Sequence, residues 1–265
     1  MSASLQGKVI VVIGGTAGLG LSAARAFLAA EARGVVVVGR NVESLATALA
    51  TLGRSATGLA GDAADPGTAV RAIALALERF GGFHGLYHVA GGSGRRHGDG
   101  PLHELTDDAV PATLAINLHS VIYSNRAAVR QFLAQGGGGA ILNMGSVLGW
   151  SPSPKFFATH VYAAAKAAIV GFTKSAAAYY APRGVRFNVL APALVETPMA
   201  QRAAQDSAIL DFIASKQPLD GGRIGRPEDC DGAATYLMSD SAGFVTGQVL
   251  AVDGGWTVSE GQIPD

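Results

Sequence analysis

Two hydrophobic patterns alternate along the chain. Short runs rich in Val, Ile and Leu are typical of strands buried on both faces of a parallel sheet. Longer Ala- and Leu-rich runs between them have apolar residues at helical spacing. The predicted strands are residues 9–13, 35–38, 57–60, 86–90, 140–144, 185–190 and 249–252. The predicted helices are residues 19–30, 42–52, 67–80, 109–134, 161–181 and 227–238.

This alternation predicts the fold class and the number of domains. Strands that alternate with helices form α/β folds in which a parallel, doubly wound sheet carries helices on both faces. No repeat and no long low-complexity linker divides the chain. We therefore predict a single domain that spans residues 1–265.

Composition and charge exclude several classes of function. The formal net charge is zero, which gives no electrostatic attraction to nucleic acid or to an anionic membrane. No window reaches the roughly 18 apolar residues of a membrane-spanning helix. Cys230 is the only cysteine, and the N-terminus lacks the pattern of a signal peptide. We therefore expect a cytoplasmic protein with neither nucleic-acid nor membrane partners.

A glycine-rich loop, IGGTAGLG, follows the first predicted strand. Gly14, Gly18 and Gly20 have the spacing G-x-x-x-G-x-G, which differs from the G-x-G-x-x-G dinucleotide fingerprint. A strand that turns sharply into a helix presents free N–H groups that can hold a pyrophosphate. The sequence thus favours a dinucleotide site, and the alternative is a tight strand-to-helix turn without a ligand.

The end of the second predicted strand bears on the choice of dinucleotide. Many dinucleotide-binding folds carry an acidic residue here that holds the ribose hydroxyls. This chain has Gly39 instead, followed by Arg40 and Asn41. Since no carboxylate repels a 2′-phosphate and Arg can bind one bidentately, the sequence favours NADP(H) over NAD(H). The alternatives are an Arg40 that only begins a solvated loop and an enzyme that prefers NAD(H).

The segment HVYAAAKAAIVGF places a tyrosine and a lysine in an apolar helix. Tyr162 and Lys166 are one helical turn apart, so both side chains leave the same face. An ammonium about 4 Å from a phenolate attracts it by about 4 kcal/mol at an effective dielectric near 20. This attraction could lower the tyrosine pKa by up to about three units and allow proton exchange near neutral pH. The alternative is a core tyrosine beside a lysine that extends to solvent.

A serine stands at the end of the fifth predicted strand. Ligands of parallel sheets bind beyond the carboxyl ends of the strands, so the Ser146 hydroxyl could hold a substrate oxygen. The alternative is a serine that caps a turn. The sequence contains neither G-x-S-x-G nor H-E-x-x-H, which disfavours an α/β hydrolase and a metalloenzyme. We predict no metal site.

Together these motifs resemble the short-chain dehydrogenase/reductase family, in particular its 3-oxoacyl carrier-protein reductases. The resemblance runs from about residue 5 to residue 257. It includes INLHS, RFNVLAPALVETPM, GRIGRPEDC and VTGQVLAVDGGW. It implies a Rossmann-type fold and an oxidoreductase that transfers hydride between a nicotinamide and a carbonyl or secondary alcohol. A catalytically silent dinucleotide-binding regulator is the remaining alternative, which loss of the serine, tyrosine or lysine would have favoured.

The resemblance also implies roles for individual residues. Tyr162 is the implied general acid/base and Ser146 positions the substrate oxygen. Lys166 binds the nicotinamide ribose and Asn117 helps to hold a relay water. A small segment at about 193–226 is the implied substrate-binding lid. The implied cofactor-binding residues are Gly14, Thr16, Gly18, Leu19, Gly20, Arg40, Asn41, Asp62, Ala63, Ala90, Gly91, Tyr162, Lys166, Pro192, Val195 and Thr197.

Several positions depart from the family pattern. Ile13 replaces a threonine, and His88 and Val89 replace two asparagines. Ile13 and Val89 remove polar groups that tie the sheet together, so the local hydrogen bonding is expected to differ. We expect His88 to be a packed histidine that fills the asparagine position.

Two segments bear on the substrate. The loop before the tyrosine is about three residues longer than usual in the family. Its Trp150, Phe156 and Phe157 either line an apolar pocket or pack at a subunit contact.

The second segment is SGRRHGDG, with Arg95, Arg96 and His97. It forms either a solvated loop or a clamp for an anionic substrate tail. Family members pair the helices equivalent to residues 109–134 and 161–181 at their main dimer contact, so we predict a homotetramer.

Overall fold

The architecture is a seven-stranded, fully parallel sheet. The computed structural model describes residues 4–260, so positions 1–3 and 261–265 of the predicted domain lie outside the described residues. The strands are β1 (Val9–Ile13), β2 (Gly34–Gly39), β3 (Ala56–Ala60), β4 (Gly85–His88), β5 (Gly139–Met144), β6 (Val185–Pro192) and β7 (Val249–Val252). Their order, β3-β2-β1-β4-β5-β6-β7, reverses direction between β1 and β4. A ligand crevice forms at such a switch point.

Helices cover both faces of this sheet, as predicted. They are α1 (Gly18–Ala29), α2 (Val42–Leu52), α3 (Thr68–Phe80), α4 (Ala109–Leu114), α5 (Ser120–Ala134), α6 (His160–Tyr180), α7 (Gln201–Ala204), α8 (Ser207–Lys216) and α9 (Asp231–Met238). One core cluster packs α1, α2 and α9 on the sheet around Phe27 and Tyr87. The other packs α3 and α5 around Phe83 and Phe132. No helix within residues 4–260 is long and apolar enough to span a membrane.

The prediction of a helix over residues 109–134 is confirmed, since all of these residues are helical, but the helix is not α-helical throughout. A π-helical turn, Ala115–His119, separates α4 from α5. The Asn117 side chain lies in this turn and donates to the Thr113 carbonyl over 2.9 Å. A π turn inserts one residue into an otherwise continuous helix and often marks a functional site. The apolar run predicts the helix but not this local insertion.

Most other boundaries agree with the prediction to within one or two residues, and three larger differences remain. β4 ends at His88, because Val89 and Ala90 both donate to the Ile13 carbonyl and turn out of the sheet. The predicted helix at 227–238 is a 3₁₀ turn followed by α9. The turn buries Cys230, and burial raises the pKa of its thiol to about 12. The helices α7 and α8 lie in the segment 193–226, where the apolar pattern predicted none.

Candidate active site

A cleft of about 880 Å³ opens along the carboxyl ends of the strands. It brings together most of the residues that the sequence singled out. The predicted residues that line it are Gly14, Thr16, Gly18, Leu19, Arg40, Asn41, Asp62, Ala63, Ala90, Gly91, Ser146, Phe157, Tyr162, Lys166, Pro192, Val195 and Thr197. Gly20, Asn117, Trp150 and Phe156 lie outside its lining.

The glycine loop has the shape that a pyrophosphate needs. Gly14 has a φ of +89°, and a Cβ there would lie 2.6 Å from the backbone nitrogen of Ala90. A Cβ on Gly20 would overlap the Gly14 carbonyl oxygen, so Gly20 acts by letting α1 pack on the loop. No side chain caps the start of α1, so its first N–H groups remain available to an anion. The loop therefore fits a dinucleotide.

The end of β2 offers a cation and excludes an acid. A Cβ at Gly39 would overlap the hydroxyl of Thr16, so no carboxylate can occupy this position without a shift. Arg40 is exposed in the cleft and makes no ion pair within residues 4–260. Asn41 caps α2 by accepting a 2.7 Å hydrogen bond from the Ser44 nitrogen.

The first turn of α6, which carries the tyrosine, is fixed from a distant part of the chain. Its N-cap residue, Thr159, makes no side-chain capping bond. The buried carboxylate of Asp99 accepts instead from the Val161 nitrogen (3.1 Å) and the Tyr162 nitrogen (2.8 Å). A carboxylate at a helix N-terminus satisfies free N–H groups and complements the helix dipole. The sequence analysis missed this role; the only signal was an aspartate in a glycine-rich loop.

Tyr162, Ser146 and Lys166 meet inside the cleft. Burial raises the pKa of the Tyr162 phenol above its usual 10, and a hydrogen bond with Ser146 opposes this shift. Ser146 also accepts from the Leu148 nitrogen over 3.2 Å, so it caps a turn as well. Ser146 thus caps a turn and also has its hydroxyl beside the Tyr162 phenol.

Lys166 is buried beside the phenol. Its Nζ donates to the Met144 carbonyl over 2.8 Å and lies 5.5 Å from the centroid of the Tyr162 ring. Burial lowers the pKa of Lys166 to about 8. The raised pKa of Tyr162 is therefore opposite in direction to the sequence-based expectation, because burial of the phenol raises the pKa more than the hydrogen bond with Ser146 lowers it.

Asn117 supports the cleft from behind. Its Oδ1 accepts from the Gly92 nitrogen (3.1 Å), and its Nδ2 donates to the Gly92 carbonyl (2.8 Å). A Cβ on Gly91 would lie 2.8 Å from the same Oδ1. The π turn thus holds the backbone that follows β4 close to the cleft wall.

His88 is fully buried and hydrogen-bonded, in agreement with the expected packed histidine. Its Nδ1 lies 2.7 Å from the Ser124 hydroxyl and its Nε2 lies 3.3 Å from the Ser120 hydroxyl. Burial, with a smaller effect from the Lys166 charge, lowers the His88 pKa to about 3, so the ring is neutral. Two further pairs continue this polar layer: Asn125 with Asn143 at 2.8 and 2.9 Å, and Asn143 with Thr173 at 3.1 Å.

The aromatic loop before α6 contributes less to the cleft than its composition suggested. Phe157 lines the cleft and makes an edge contact with Trp256, with 5.9 Å between the ring centroids. Phe156 packs instead on Phe212 of α8. Trp150 is 44 % exposed and lies away from the cleft.

The arginine-containing loop does reach the cleft. Arg95 and Arg96 line it, whereas His97 does not. Arg202 of α7 also lines it, and nothing in the sequence pattern singled out this residue. No cluster of three or more possible metal ligands occurs among the described residues.

A glycine loop at the switch point of a parallel sheet, beside a Ser–Tyr–Lys group, defines a dinucleotide-dependent oxidoreductase. Residues 14–257 match the family model described as enoyl-(acyl carrier protein) reductase. The chain belongs to the short-chain dehydrogenase/reductase family, whose members bind nicotinamide dinucleotides, and it is an oxidoreductase enzyme.

Similar proteins cover nearly the whole chain. The cis-4-hydroxycyclohexanecarboxylate dehydrogenase of Sinomonas cyclohexanicum is 35 % identical over 260 residues, which cover 97 % of this chain and 99 % of the relative. A short-chain type dehydrogenase/reductase from Mycobacterium ulcerans has a similar structure, with a TM-score of 0.88 and 30 % identity over 97 % of this chain and 92 % of that one. A gluconate 5-dehydrogenase from Burkholderia cenocepacia J2315, in complex with NADP and tartrate, has a TM-score of 0.86 and 32 % identity over 96 % of both chains.

Proposed function

We propose that this enzyme interconverts a secondary alcohol and the corresponding carbonyl compound with NADP(H). The observation that carries the proposal is the meeting of Ser146, Tyr162 and Lys166 in the same cleft as the glycine loop. The Sinomonas relative is named for cis-4-hydroxycyclohexanecarboxylate, which is a secondary alcohol. Among the similar structures, the gluconate 5-dehydrogenase contains NADP.

The residues divide the proton chemistry between them. A bound nicotinamide supplies hydride to the carbonyl carbon or accepts it from the alcohol carbon. In reduction, the Ser146 hydroxyl donates a hydrogen bond to the substrate oxygen, and the Tyr162 hydroxyl gives that oxygen its proton. The raised pKa of Tyr162 keeps the phenol protonated before the reaction, as an acid requires.

Lys166 serves the phenolate that Tyr162 becomes. Its ammonium is charged below about pH 8 and lies on the phenol's side of α6. An ammonium near a phenolate stabilises it, and it does so more strongly where water is excluded. In alcohol oxidation the same phenolate takes the substrate's hydroxyl proton. Asn117 has a positioning role, because it holds Gly92 rather than lining the cleft.

The direct test combines a substrate screen with one substitution. Absorbance of NADPH is followed with a set of ketones, and the best substrate is then used with Tyr162→Phe. Since a positioned general acid contributes about 10²–10⁴-fold, we expect turnover to fall by that factor while NADPH affinity is nearly unchanged. Tyr236→Phe, which changes an exposed tyrosine on α9 that does not line the cleft, is the control. Unchanged turnover in Tyr162→Phe would refute the assigned role.

The preference for NADP(H) has its own support. Arg40 has no ion-pair partner in the described chain, and Thr16 fills the space that an acid at position 39 would need. We expect Arg40→Ala to weaken NADPH binding about 10- to 100-fold and NADH binding little, since a charged hydrogen bond to phosphate is lost. Fluorescence titration with both cofactors measures this. Equal losses for both cofactors would reject the assignment of Arg40 to the 2′-phosphate.

We also propose one domain over residues 1–265, in which the segment 193–226 covers the substrate. Val195 and Arg202 of this segment line the cleft, which supports a lid role. We further propose a cytoplasmic homotetramer. The exposed apolar side chains of Leu133 on α5 and Tyr179 on α6 are consistent with a subunit contact. Light scattering that gives a monomer at micromolar concentration would contradict the tetramer.

A further inference from the structure

The cleft carries an excess of positively charged side chains, and the proposed cofactor contacts account for only some of them. The chain as a whole has a formal net charge of zero. The charged residues that line the cleft are Arg40, Arg95, Arg96, Lys166 and Arg202, with the single carboxylate Asp62. Arg40 and Lys166 already have proposed roles toward the cofactor. Three arginines remain without one.

Two of these arginines converge on one atom. An Nη of Arg95 donates to the Phe156 carbonyl over 3.1 Å, and an Nη of Arg202 donates to the same oxygen over 3.2 Å. Arg95 lies in the 3₁₀ turn Arg95–His97 after β4, whereas Arg202 lies in α7. The Phe156 carbonyl thus links the turn after β4 to α7, which belongs to the proposed lid segment 193–226.

This arrangement leaves both guanidinium groups short of negative charge. Neither Arg95 nor Arg202 forms an ion pair within residues 4–260. A guanidinium has five N–H donors, and within the described chain each of these two uses one in a hydrogen bond. Both residues are exposed and line the cleft, so their remaining N–H donors are open to a ligand that enters it.

The electrostatics of Arg95 favour an anion beside it. Burial and the charge of Arg202 both lower the Arg95 pKa, and only Asp99 acts in the opposite direction. Asp99 is already committed, because both of its carboxylate oxygens accept backbone N–H groups of α6. An anion between the two arginines would remove their mutual repulsion.

We infer that the substrate carries a carboxylate that Arg95 and Arg202 bind together, while its carbonyl or alcohol carbon lies at Tyr162. The inference rests on the proposed function, which places the reacting oxygen at Ser146 and Tyr162. Planar guanidinium groups match the geometry of a carboxylate and bind it bidentately. A carboxylate held between the β4 loop and α7 would also fix the lid over the reacting carbon.

The reaction remains an ordinary hydride transfer. An oxo acid, the reduced cofactor and one proton give a hydroxy acid and the oxidised cofactor. The hydride forms the new C–H bond, the Tyr162 proton forms the O–H bond, and the carboxylate is unchanged.

The test compares methyl-ketone acids of increasing chain length with their methyl esters. The chain length is varied because it sets the distance between carboxylate and carbonyl. For the length that fits, we expect kcat/KM of the wild-type enzyme to be about 10- to 100-fold higher for the acid, as one or two charged hydrogen bonds are lost in the ester. Arg95→Gln and Arg202→Gln should lower kcat/KM for the acid toward that of the ester. They should leave the ester and the NADPH dissociation constant nearly unchanged.

The control is Arg183→Gln, an exposed arginine beyond the far end of α6 that does not line the cleft. Esters used as well as acids would overturn the inference. Equal losses for acid and ester in the variants would show that the arginines only hold the loop. Weaker NADPH binding would show that they serve the cofactor.

A binding measurement separates failure of the inference from failure of the proposed function. Calorimetry of each acid and ester with the enzyme–NADP⁺ complex does not require turnover. Acids that bind the wild type but not the Arg95→Gln/Arg202→Gln double variant would support the carboxylate site even if no ketone were reduced. Acids that bind no more tightly than their esters would overturn it, whether or not the ketones are substrates.

Discussion

The half of the cleft that we propose for the cofactor and the half that we propose for the substrate are built in different ways. We refer to them as the cofactor half and the substrate half. The cofactor half consists mainly of backbone at the ends of β1, β2 and β4, where glycines bring N–H groups close to a ligand. The substrate half consists of side chains from three separate segments, 93–100, 147–159 and 193–226. A backbone site tolerates little change of shape, whereas a site built from loop side chains can change its specificity without a change of fold.

The largest effect on cofactor binding should come from a side chain that fills space in the cofactor half. Gly14→Ala places a methyl group 2.6 Å from the Ala90 nitrogen at a φ of +89°. Both the overlap and the left-handed conformation are unfavourable, so we expect NADPH affinity to fall more than about 100-fold with a loss of stability of about 1–3 kcal/mol. Fluorescence titration and urea unfolding measure the two effects.

The control for this substitution is Gly232→Ala. Gly232 lies in α9, and a Cβ there meets nothing within 4 Å. Its NADPH affinity should equal that of the wild type. If Gly14→Ala binds NADPH as tightly as the wild type, the glycine loop tolerates a side chain and the cofactor half is less constrained than we propose.

A smaller effect is expected where the substrate half supports the reacting groups. Asp99→Asn removes the charge at the start of α6 and one of the two acceptors for the Val161 and Tyr162 N–H groups. We expect a loss of about 1–3 kcal/mol in stability and about a tenfold fall in kcat, because Tyr162 loses its fixed position.

Asp206→Asn provides the matched comparison. Asp206 caps α8 through one oxygen, which accepts from the Ala208 and Ile209 nitrogens. This oxygen can be retained in the amide, so the stability cost should stay below about 1 kcal/mol. Equal stability losses for Asp99→Asn and Asp206→Asn would show that the Asp99 cap contributes no more to stability than an ordinary N-cap.

The smallest effect on activity concerns the polar layer behind both halves. The His88 pKa is about 3 in the folded protein and about 6.5 when unfolded, so the unfolded state binds more protons between these values. Stability is therefore lost as the pH falls below about 6.5. Between pH 7 and pH 5, we expect the wild type to lose about 2 kcal/mol more than His88→Asn.

Urea unfolding at each pH measures this difference, with turnover at pH 7 as the second readout. His103→Asn, which changes an exposed histidine, should keep the pH dependence of the wild type. If His88→Asn has the same acid sensitivity as the wild type, His88 is not the group that titrates.

The positions of most residues in the cofactor half could be predicted from the sequence, for a physical reason. Strand and helix periods, glycines at turns and residues at strand ends are properties of contiguous segments. This locality placed Gly14, Arg40 and Ser146 at one edge of the sheet before any contact was known. The β-α order then fixed which strand ends lie side by side.

The substrate half was less predictable because its contacts join distant segments. Asp99 is 62 residues away from the Val161 nitrogen that it caps, and Arg202 is 46 residues away from the Phe156 carbonyl. No periodicity encodes such a pairing. Composition drew attention to Trp150 and Phe156, but only the depth of burial decides which aromatic side chain of a loop faces the cleft. The π turn at Asn117 was not predicted for a different reason, since a long apolar run indicates a helix without showing an insertion of one residue within it.

The single cysteine should be unreactive toward thiol reagents in the folded enzyme. Thiolates are the reactive form of cysteine, and Cys230 is 2 % exposed with a pKa of about 12. Maleimides and disulfide reagents should therefore reach it only when α9 separates from the sheet. The rate at which Cys230 is labelled would then measure the rate of this local opening. A second cysteine placed on an exposed position of α7 would then carry a fluorophore alone, and lid movement could be followed without first removing a native thiol.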